Sequence, residues 1–436
     1  MNRNENQPAA SRRDFLRMAG QAGAAATALG TMAIPRSVHA AGGETLRVGL
    51  VGCGGRGAGS VVDALSADKQ AQLVAIGDTF ADHAQRALEQ LKAEKSIADR
   101  VLVPEDAVFV GFDAYKQVID NVDVVLLATP PHFRPAHLRY AVEKGKHSFV
   151  EKPIAVDVPG VQHVMETCRM AEEKKLAVVS GLCWRYDLGV RETMRQILEE
   201  KAIGDIVAIE SSYNANGLWH RGDDPAWSRM EYQIRNWLYF TWLSGDHILE
   251  QAVHSLDKTA WLLGDLQPLK AFALGGRQQR VDPKYGNVYD HFAVFYQYPD
   301  GKHVYFTCRQ QDNCSVRVDE RVLGTEGQAE ILKHELTDRA GKRKWRYRGD
   351  KPSMYQQEHD ELFASIRRGE PINNGHYMCN STMIAILGRT AAYTGQTVTW
   401  DDLVKSTETL GPSEYAWGEA PQLNVAIPGK NSRQVG

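Results

Sequence analysis

The chain has 436 residues, enough for two or three domains with sizeable cores. Hydrophobic residues make up 43% and charged residues 24%, a globular composition that argues against disorder, collagen-like repeats and coiled coils. The formal net charge of −3 lacks the basic excess of nucleic-acid-binding proteins, so we expect no nucleic-acid partner. The six cysteines are irregularly spaced without a C-x-x-C pair and predict neither a disulfide framework nor a metal site.

The first 40 residues resemble a twin-arginine export signal. Arg12 and Arg13 precede a weakly apolar Ala/Gly stretch too short to span a bilayer stably, and Val38-His39-Ala40 supplies the small residues that a signal peptidase needs. We therefore expect a signal peptide over 1–40, recognition by the twin-arginine machinery and a periplasmic or otherwise exported protein without stable membrane insertion. The alternative, an N-terminal helix of the folded domain, suffers from glycines that pack poorly in helices.

Strand and helix patterns alternate through the next part of the chain. An apolar run over 46–51 leads into a glycine-rich turn and a helical pattern, and a second run over 72–77 is followed by another helix. A third apolar run over 122–128 reads as a fully buried parallel strand, with a helix over 135–143 and a strand over 147–150. This alternation predicts a doubly wound parallel sheet, a Rossmann dinucleotide-binding domain over 45–180.

The pattern changes after residue 180. Apolar and polar residues alternate in several segments, which predicts a mostly antiparallel sheet with strands over 206–213, 270–275, 291–298 and 304–310. A helix is predicted over 381–393. The expected fold class is thus α/β, with the Rossmann domain followed by an α+β domain over 181–400 and a C-terminal extension over 401–436 that is extended from Pro412.

The turn after the first strand fits a dinucleotide-binding loop. Gly52 permits the sharp turn, Gly54 lets the backbone approach a pyrophosphate, and Gly57 allows close helix packing. Asp78 ends the second strand, where a carboxylate accepts hydrogen bonds from the adenosine ribose and repels the 2′-phosphate of NADP. We therefore predict NAD, while the nearby Arg86 leaves NADP open; a structural glycine turn is the alternative. The candidate cofactor-binding residues of the loop are Gly52, Cys53, Gly54, Gly55, Arg56 and Gly57.

Three further candidates follow the buried third strand. Thr129, Pro130 and His132 lie at its carboxyl end, where the crevice of such sheets holds ligand. We expect His132 either to line the nicotinamide ribose or to cap the next helix.

Two motifs resemble those of the Gfo/Idh/MocA family, named for glucose-fructose oxidoreductase, inositol dehydrogenase and the MocA proteins. They are Glu151-Lys152-Pro153 and the H-x-x-D pair of His254 and Asp257. The resemblance, which covers about 46–401, implies a Rossmann domain, Glu151 and Lys152 beside the cofactor, and Lys152 and His254 as catalytic residues. It also implies a second domain whose open sheet often mediates oligomerisation, so we expect a homo-oligomer.

The sequence departs from the family at one catalytic position. The family usually has an aspartate four residues before the histidine, whereas Glu250 stands here. At i and i+4 on a helix, Glu250 and His254 would share one face, so we expect an acid–imidazole pair with altered geometry.

The catalytic candidates also make chemical sense on their own. A desolvated Lys152 ammonium at a strand end can polarise a hydroxyl or relay a proton, and the imidazole of His254 can accept a hydroxyl proton near working pH. A surface lysine and a buried structural histidine are the alternatives. Asp257 is expected to hold local structure.

Candidate substrate contacts come from the start of the second domain. Arg185 and Tyr186 are predicted either to bind substrate oxygens or to form a salt bridge at the domain junction. An aromatic region before the His254 segment contributes Trp219, His220 and Trp237, whose rings suit stacking on sugars; an oligomer interface is the competing use.

These residues predict an NAD(P)-dependent oxidoreductase that moves hydride between a tightly bound nicotinamide cofactor and a carbinol of a sugar, cyclitol or glycoside. The first alternative is an NAD-dependent enzyme that cleaves glycosides by transient ring oxidation and elimination. The second is a non-catalytic, NAD-bound sugar-binding accessory protein. The expected ligand in each case is a carbohydrate or polyol.

Overall fold

A computed structural model describes residues 44–430. The predicted signal peptide over 1–40 lies outside the described residues. Between residues 44 and 430, no helix has both the length and the apolar character needed to cross a membrane.

The N-terminal half of the described chain is built on a parallel sheet. Its strands are β1 (Leu46–Val51), β2 (Ala71–Asp78), β3 (Val108–Val110), β4 (Val124–Leu127), β5 (His147–Val150) and β6 (Val178–Ser180). Its helices are α1 (Gly55–Ala67), α2 (Ala81–Ala93), α3 (Ala114–Asp120), α4 (Arg134–Glu143) and α5 (Val158–Glu173). The strand order β3-β2-β1-β4-β5-β6, with every pair parallel, confirms the predicted Rossmann fold.

The strand sequences explain why this sheet is parallel and buried. All four residues of β4 are fully buried, as are Val48 and Leu50 of β1, because helices cover both faces of the sheet. The strand order reverses between β1 and β4. In open α/β sheets this switch point, at the carboxyl ends of the strands, is where ligands bind.

The second half contains a large open sheet, as predicted. Its strands are β7 (Ile206–Ala215), β8 (Lys270–Gly276), β9 (His291–Gln297), β10 (His303–Gln310), β11 (Arg317–Gly324), β12 (Gly327–Glu330), β13 (Glu335–Asp338), β14 (Arg343–Arg346) and β15 (Val398–Thr399). Their order is β14-β13-β12-β11-β7-β10-β9-β8-β15. Strands β7 and β10 pair in parallel and the other neighbours pair antiparallel, which confirms the mostly antiparallel prediction.

Eight further helices lie in the second half of the described chain. They are α6 (Leu188–Leu198), α7 (Arg229–Arg235), α8 (Thr241–Ser244), α9 (His247–Glu250), α10 (Val253–Leu262), α11 (Met354–Arg368), α12 (Gly375–Thr394) and α13 (Trp400–Leu403). Short 3-10 turns occur at Ala98–Arg100, Glu105–Ala107, Pro131–Phe133, Cys183–Tyr186, Trp237–Tyr239, Pro283–Tyr285 and Pro299–Gly301. Alternate residues such as Ala273 and Val294 are buried in the core, whereas Phe272, Phe295 and Tyr305 are exposed on the opposite face.

Helix α11 crosses back to the first half. It packs against α1, and its Leu362, Phe363 and Ile366 are buried in the same core as β1 and β2. The Rossmann half is therefore completed by residues far beyond 180. From Leu403 to residue 430, the described chain contains no further helix or strand.

Candidate active site at the carboxyl edge of the parallel sheet

The glycine loop after β1 has the shape of a phosphate cradle. Gly52 has φ +96°, and a Cβ there would lie 2.7 Å from the carbonyl carbon of Ala128. A Cβ on Gly57 would overlap the carbonyl oxygen of Gly52, whereas Gly54 and Gly55 face open space. Since α1 begins at Gly55, its free amides and these glycines fit a pyrophosphate.

Asp78 joins the end of β2 to the glycine loop. Its carboxylate accepts hydrogen bonds from the backbone N–H of Cys53 at 2.7 Å and of Phe80 at 2.9 Å. The carboxylate is thereby held beside the loop with lone pairs left for ribose hydroxyls, which fits NAD. The thiol of Cys53 instead donates to the carbonyl oxygen of Gly77, and burial raises its pKa well above the usual value.

The side chain of Arg56 connects the glycine loop to the second motif. It forms ion pairs with the carboxylates of Glu151 and Glu358, and its guanidinium lies 4.7 Å from the ring centre of Tyr355. Burial acts to raise the pKa of Glu151, but the charges of Arg56, Arg134 and Lys152 outweigh it and lower that pKa. Glu358 and Tyr355 belong to α11, and no motif in the sequence pointed to them.

The residues after β4 lie at the same edge of the sheet. The carbonyl oxygen of Thr129 accepts a hydrogen bond from Arg134 Nε at 2.8 Å, and Pro130 precedes the 3-10 turn that carries His132. His132 Nε2 lies 2.7 Å from the hydroxyl of Tyr415, and burial lowers the pKa of this histidine to about 4. The ring of His132 thus contacts the C-terminal part of the chain, a partner that neither predicted role included.

Lys152 links the two halves of the molecule. It follows β5, is partly buried, and its Nζ donates a hydrogen bond to the backbone oxygen of Glu250. Burial lowers the pKa of Lys152, while the charges of Glu250 and Glu151 oppose that shift. The ammonium has three donors, so two remain for other partners.

The predicted single helix through Glu250 and His254 is wrong. Helix α9 ends at Glu250 and α10 begins at Val253, because the N–H of Ala252 bonds to the carbonyl oxygen of His247, an i to i−5 contact that widens the turn. Across residues 44–430 we find no hydrogen bond between the side chains of Glu250 and His254. The predicted acid–imidazole pair is therefore absent from this arrangement.

Glu250 pairs with Gln310 instead. Its Oε1 accepts a hydrogen bond from Gln310 Nε2 at 3.0 Å, and Gln310 Oε1 in turn accepts from Arg280. Burial raises the pKa of Glu250, with the charge of Lys152 and the Gln310 bond opposing. The sequence analysis missed Gln310 and Arg280, because only the sheet brings β10 beside α9.

The surroundings of His254 favour the neutral form of its imidazole. Its Nδ1 is buried and lacks a hydrogen-bond partner among the described residues. Burial lowers its pKa well below the usual value, and the nearby charge of Lys152 adds to the effect. A neutral ring with a free nitrogen can accept a proton. Asp257 is used differently, as the partner of Arg185.

Of the two roles predicted for Arg185, the structure shows the salt bridge. Its guanidinium donates to both oxygens of Asp257 and also pairs with Asp265 at 2.6 Å. The hydroxyl of Tyr186 donates to Asn374 at 2.9 Å in a buried position. These polar groups are satisfied within the protein, which argues against their predicted contact with substrate oxygens.

The aromatic candidates form part of a separate cluster. Trp219 and Trp237 pack edge to face with ring centres 6.3 Å apart, and His220 Nε2 lies 3.2 Å from the hydroxyl of Tyr232. All three candidates are partly exposed, and the cluster also includes Phe80 of the Rossmann half. Their role in sugar binding stays a prediction.

Both the sequence and the fold of this chain are similar to those of known proteins. Residues 46–181 match the family model described as "Oxidoreductase family, NAD-binding Rossmann fold", and residues 192–330 match the "GFO/IDH/MocA C-terminal domain". The fold resembles scyllo-inositol dehydrogenase from Lactobacillus casei with NAD(H) and scyllo-inositol bound (TM-score 0.62, 20% identity, covering 83% of this chain and 100% of that chain). It also resembles aldose-aldose oxidoreductase from Caulobacter crescentus (TM-score 0.60, 19% identity, covering 82% and 100%).

Two relatives are similar in sequence over shorter regions. The 2,7-anhydro-N-acetylneuraminate hydratase of Escherichia coli is 27% identical over 181 residues, covering 42% of this chain and 44% of the relative. A glycosyl hydrolase family 109 protein of Streptomyces coelicolor is 31% identical over 183 residues, covering 37% and 36%. Each match thus spans less than half of the relative. Both halves of the fold, together with the two matching family models, show that this chain belongs to the Gfo/Idh/MocA family of NAD-binding oxidoreductases.

Proposed function

We propose that the protein is an NAD-dependent oxidoreductase acting on a carbinol of a sugar, cyclitol or glycoside. The observation that carries the proposal is the hydrogen bond from Lys152, at the carboxyl edge of the NAD-binding sheet, to the backbone oxygen of Glu250, which brings the lysine to the helix pair that carries His254. Family membership and the names of the structural neighbours support it. NADP stays open as the cofactor.

The cleft residues divide the proton handling between them. Bound NAD supplies the acceptor for a hydride. The hydroxyl of the substrate must lose its proton as the carbonyl forms, and the neutral His254 accepts that proton. Lys152 keeps donors free to hydrogen-bond the same oxygen and stabilise negative charge on it. Glu250, held by Gln310, balances the charge of the lysine.

The second candidate is an NAD-dependent glycoside-cleaving enzyme. The relatives named as a glycosyl hydrolase family 109 protein and an anhydro-sugar hydratase favour it. The same proton-handling residues would serve transient oxidation of the ring, which acidifies a neighbouring C–H and permits elimination of the leaving group.

One experiment separates the candidates. Purified protein is incubated with a panel of sugars, cyclitols and aryl glycosides while NADH absorbance and released aglycone are followed together. Stoichiometric NADH without aglycone supports net oxidation. Aglycone release that requires NAD⁺ but accumulates no NADH supports glycoside cleavage. Binding of sugars without either signal would favour the accessory protein over both.

We also propose that the protein is exported by the twin-arginine route with NAD already bound. Arg12, Arg13 and the Val38-His39-Ala40 site support the route, which carries folded proteins. Replacing both arginines with lysine should retain precursor in the cytoplasm, and undiminished export of the variant would contradict the proposal. NAD released on denaturing the purified exported protein would test whether the cofactor is loaded.

Homo-oligomerisation through the open sheet is a further proposal. Phe272, Phe295 and Tyr305 form a row across β8, β9 and β10, with neighbouring ring centres 5.9 and 5.5 Å apart. All three are at least 42% exposed, and exposed apolar patches of this kind mark association surfaces.

A further inference from the structure

The chain between residues 410 and 418, here called the tail segment, is fixed at both ends. The N–H of Leu410 donates to the carboxylate of Asp157 at 2.8 Å, and the carbonyl oxygen of Gly418 accepts from the N–H of Met230 at 3.0 Å. Asp157 caps the start of α5 in the Rossmann half, whereas Met230 lies in α7 of the second half. The tail segment therefore runs from one half of the molecule to the other.

Two aromatic side chains of the tail segment contact the Rossmann half. The ring of Tyr415 stacks on Phe112 with centres 5.7 Å apart, and its hydroxyl lies 2.7 Å from His132 Nε2. The indole of Trp417 packs against Phe112 at 4.8 Å and Phe80 at 5.7 Å. The tail segment is thus held by ring stacking as well as by its two ends.

The partners of these rings identify the place that the tail segment covers. Phe80 follows β2, Phe112 follows β3 and His132 follows β4, so all three lie at the carboxyl edge of the parallel sheet. Phe80 also donates its N–H to Asp78, the carboxylate placed to bind the adenosine ribose. The tail segment therefore lies along this edge, beside the carboxylate of Asp78.

We propose that the tail segment forms the outer wall of the NAD site, with Tyr415 and Trp417 packing over the adenosine and slowing release of the dinucleotide. This inference rests on the NAD site of the proposed function and adds residues that no motif predicted. Tyr415 is 42% exposed and Trp417 48%, so part of each side chain is left uncovered by the rest of the protein. Aromatic rings stack well on nucleobases because each base has a π face.

The segment can open without unfolding the rest of the protein. Gly411 at φ +101° and Gly418 at φ +138° lie at its two ends and supply hinge positions. Beyond it the chain is held again, since Gln233 Nε2 donates to the carbonyl oxygen of Pro421 and the Tyr289 hydroxyl donates to that of Ala426, both at 2.9 Å. Release of NAD would need only the stretch between the glycines to lift.

The test compares NAD release from the full-length wild-type protein and a Tyr415→Ala/Trp417→Ala variant. Protein loaded with NAD is passed through a desalting column, and the nucleotide remaining is quantified over time. One aromatic–base stack corresponds to a factor of roughly 5 to 150 in affinity, so we expect release to be faster by about that factor.

Ile427→Ala is the matched control, since Ile427 is also in the C-terminal extension and is 53% exposed. Its NAD release should equal that of the wild type. A double variant with a lower melting temperature but wild-type NAD release would show that the rings only cap the fold, and would overturn the proposal. If the wild type bound no NAD, the proposed function itself would fail, which is a different result.

If the double variant does not fold, a measurement on the wild type alone still tests the proposal. Amide hydrogen exchange over residues 410–418 is compared with and without NAD. Slower exchange in the NAD complex supports the proposal, because the bound nucleotide holds the segment closed. Equal exchange in the two states overturns it.

Discussion

The Nζ of Lys152 donates a hydrogen bond to the backbone oxygen of Glu250, so the lysine motif of the Rossmann half is joined directly to the helix pair that carries His254. Burial lowers the pKa of His254, and the charge of the Lys152 ammonium adds to that shift. The arrangement of the cleft therefore depends on the docking of the two halves.

Removing either proton-handling group should slow the chemical step while NAD stays bound. Lys152→Ala and His254→Ala should each lower the single-turnover rate of NAD reduction by about a hundredfold to ten-thousandfold, the usual contribution of acid–base catalysis. Lys95→Ala and His376→Ala, at exposed positions, are the controls. Near-wild-type rates in both cleft variants would place the chemistry elsewhere and favour the accessory-protein alternative.

The pH dependence of oxidation should show the lowered pKa of His254. The reaction needs the neutral imidazole, so the rate falls on the acid side only as His254 becomes protonated. Since burial and Lys152 lower that pKa, the acid limb should lie below 6.5, and Lys152→Met should move it upward. Stopped-flow rates of NAD reduction, measured over a series of pH values, locate the acid limb. A wild-type limb above 6.5 would contradict a buried neutral histidine as the base.

The effect of a substitution at Glu250 should depend on the length of the new side chain, because that side chain must reach Gln310. Glu250→Gln keeps a side chain that reaches Gln310 and should slow hydride transfer less than His254→Ala does. Glu250→Asp, which restores the residue usual in the family, is too short for the 3.0 Å contact and should cost more than Glu250→Gln. A double-mutant cycle with Gln310→Ala measures the coupling. Additive effects would mean that the observed bond has no role in turnover.

Arg185→Ala should affect stability rather than substrate binding. It would leave the buried carboxylate of Asp257 without its main counter-charge, and breaking a buried pair costs about 3–5 kcal/mol. Thermal unfolding with the KM measured in parallel distinguishes the two roles. An unchanged melting temperature with a raised KM would restore Arg185 to the substrate site.

The exposed face of the open sheet should control assembly. Phe272→Lys/Phe295→Lys places two charges in the aromatic row and should convert an oligomer into monomers, as measured by light scattering. Leu102→Lys, at a residue 51% exposed in the Rossmann half, is the control. A wild type that is monomeric at micromolar concentration, or a double variant that keeps its oligomeric mass, would rule out this interface.

Local sequence patterns predicted most of the Rossmann half. The predicted strand over 46–51 has the observed bounds of β1, because an apolar run followed by a glycine turn is determined by neighbouring residues. The strands of the second sheet were also found where apolar alternation is strong, as in β8 and β9. Residues 317–346 alternate less clearly, and their four strands became visible only through pairing in the sheet.

Only those site residues that belong to a sequence motif or follow a predicted strand could be predicted. Asp78 and Lys152 follow strands, and strand ends can be read from sequence. The partners of the site could not be read in this way, since Glu358 and Gln310 reach Arg56 and Glu250 through tertiary packing alone. The turn between α9 and α10 also escaped prediction, because helical spacing gives no sign of an i to i−5 bond.

The return of α11 to the Rossmann half has a consequence for synthesis. Leu362, Phe363 and Ile366 complete a core whose first strand begins at Leu46, so this core joins residues more than 300 positions apart. A ribosome must therefore release almost the whole chain before the NAD-binding half can close. A fragment ending at residue 181 would expose the α1 surface that α11 covers, so the cofactor-binding half cannot be treated as an independent, transferable module.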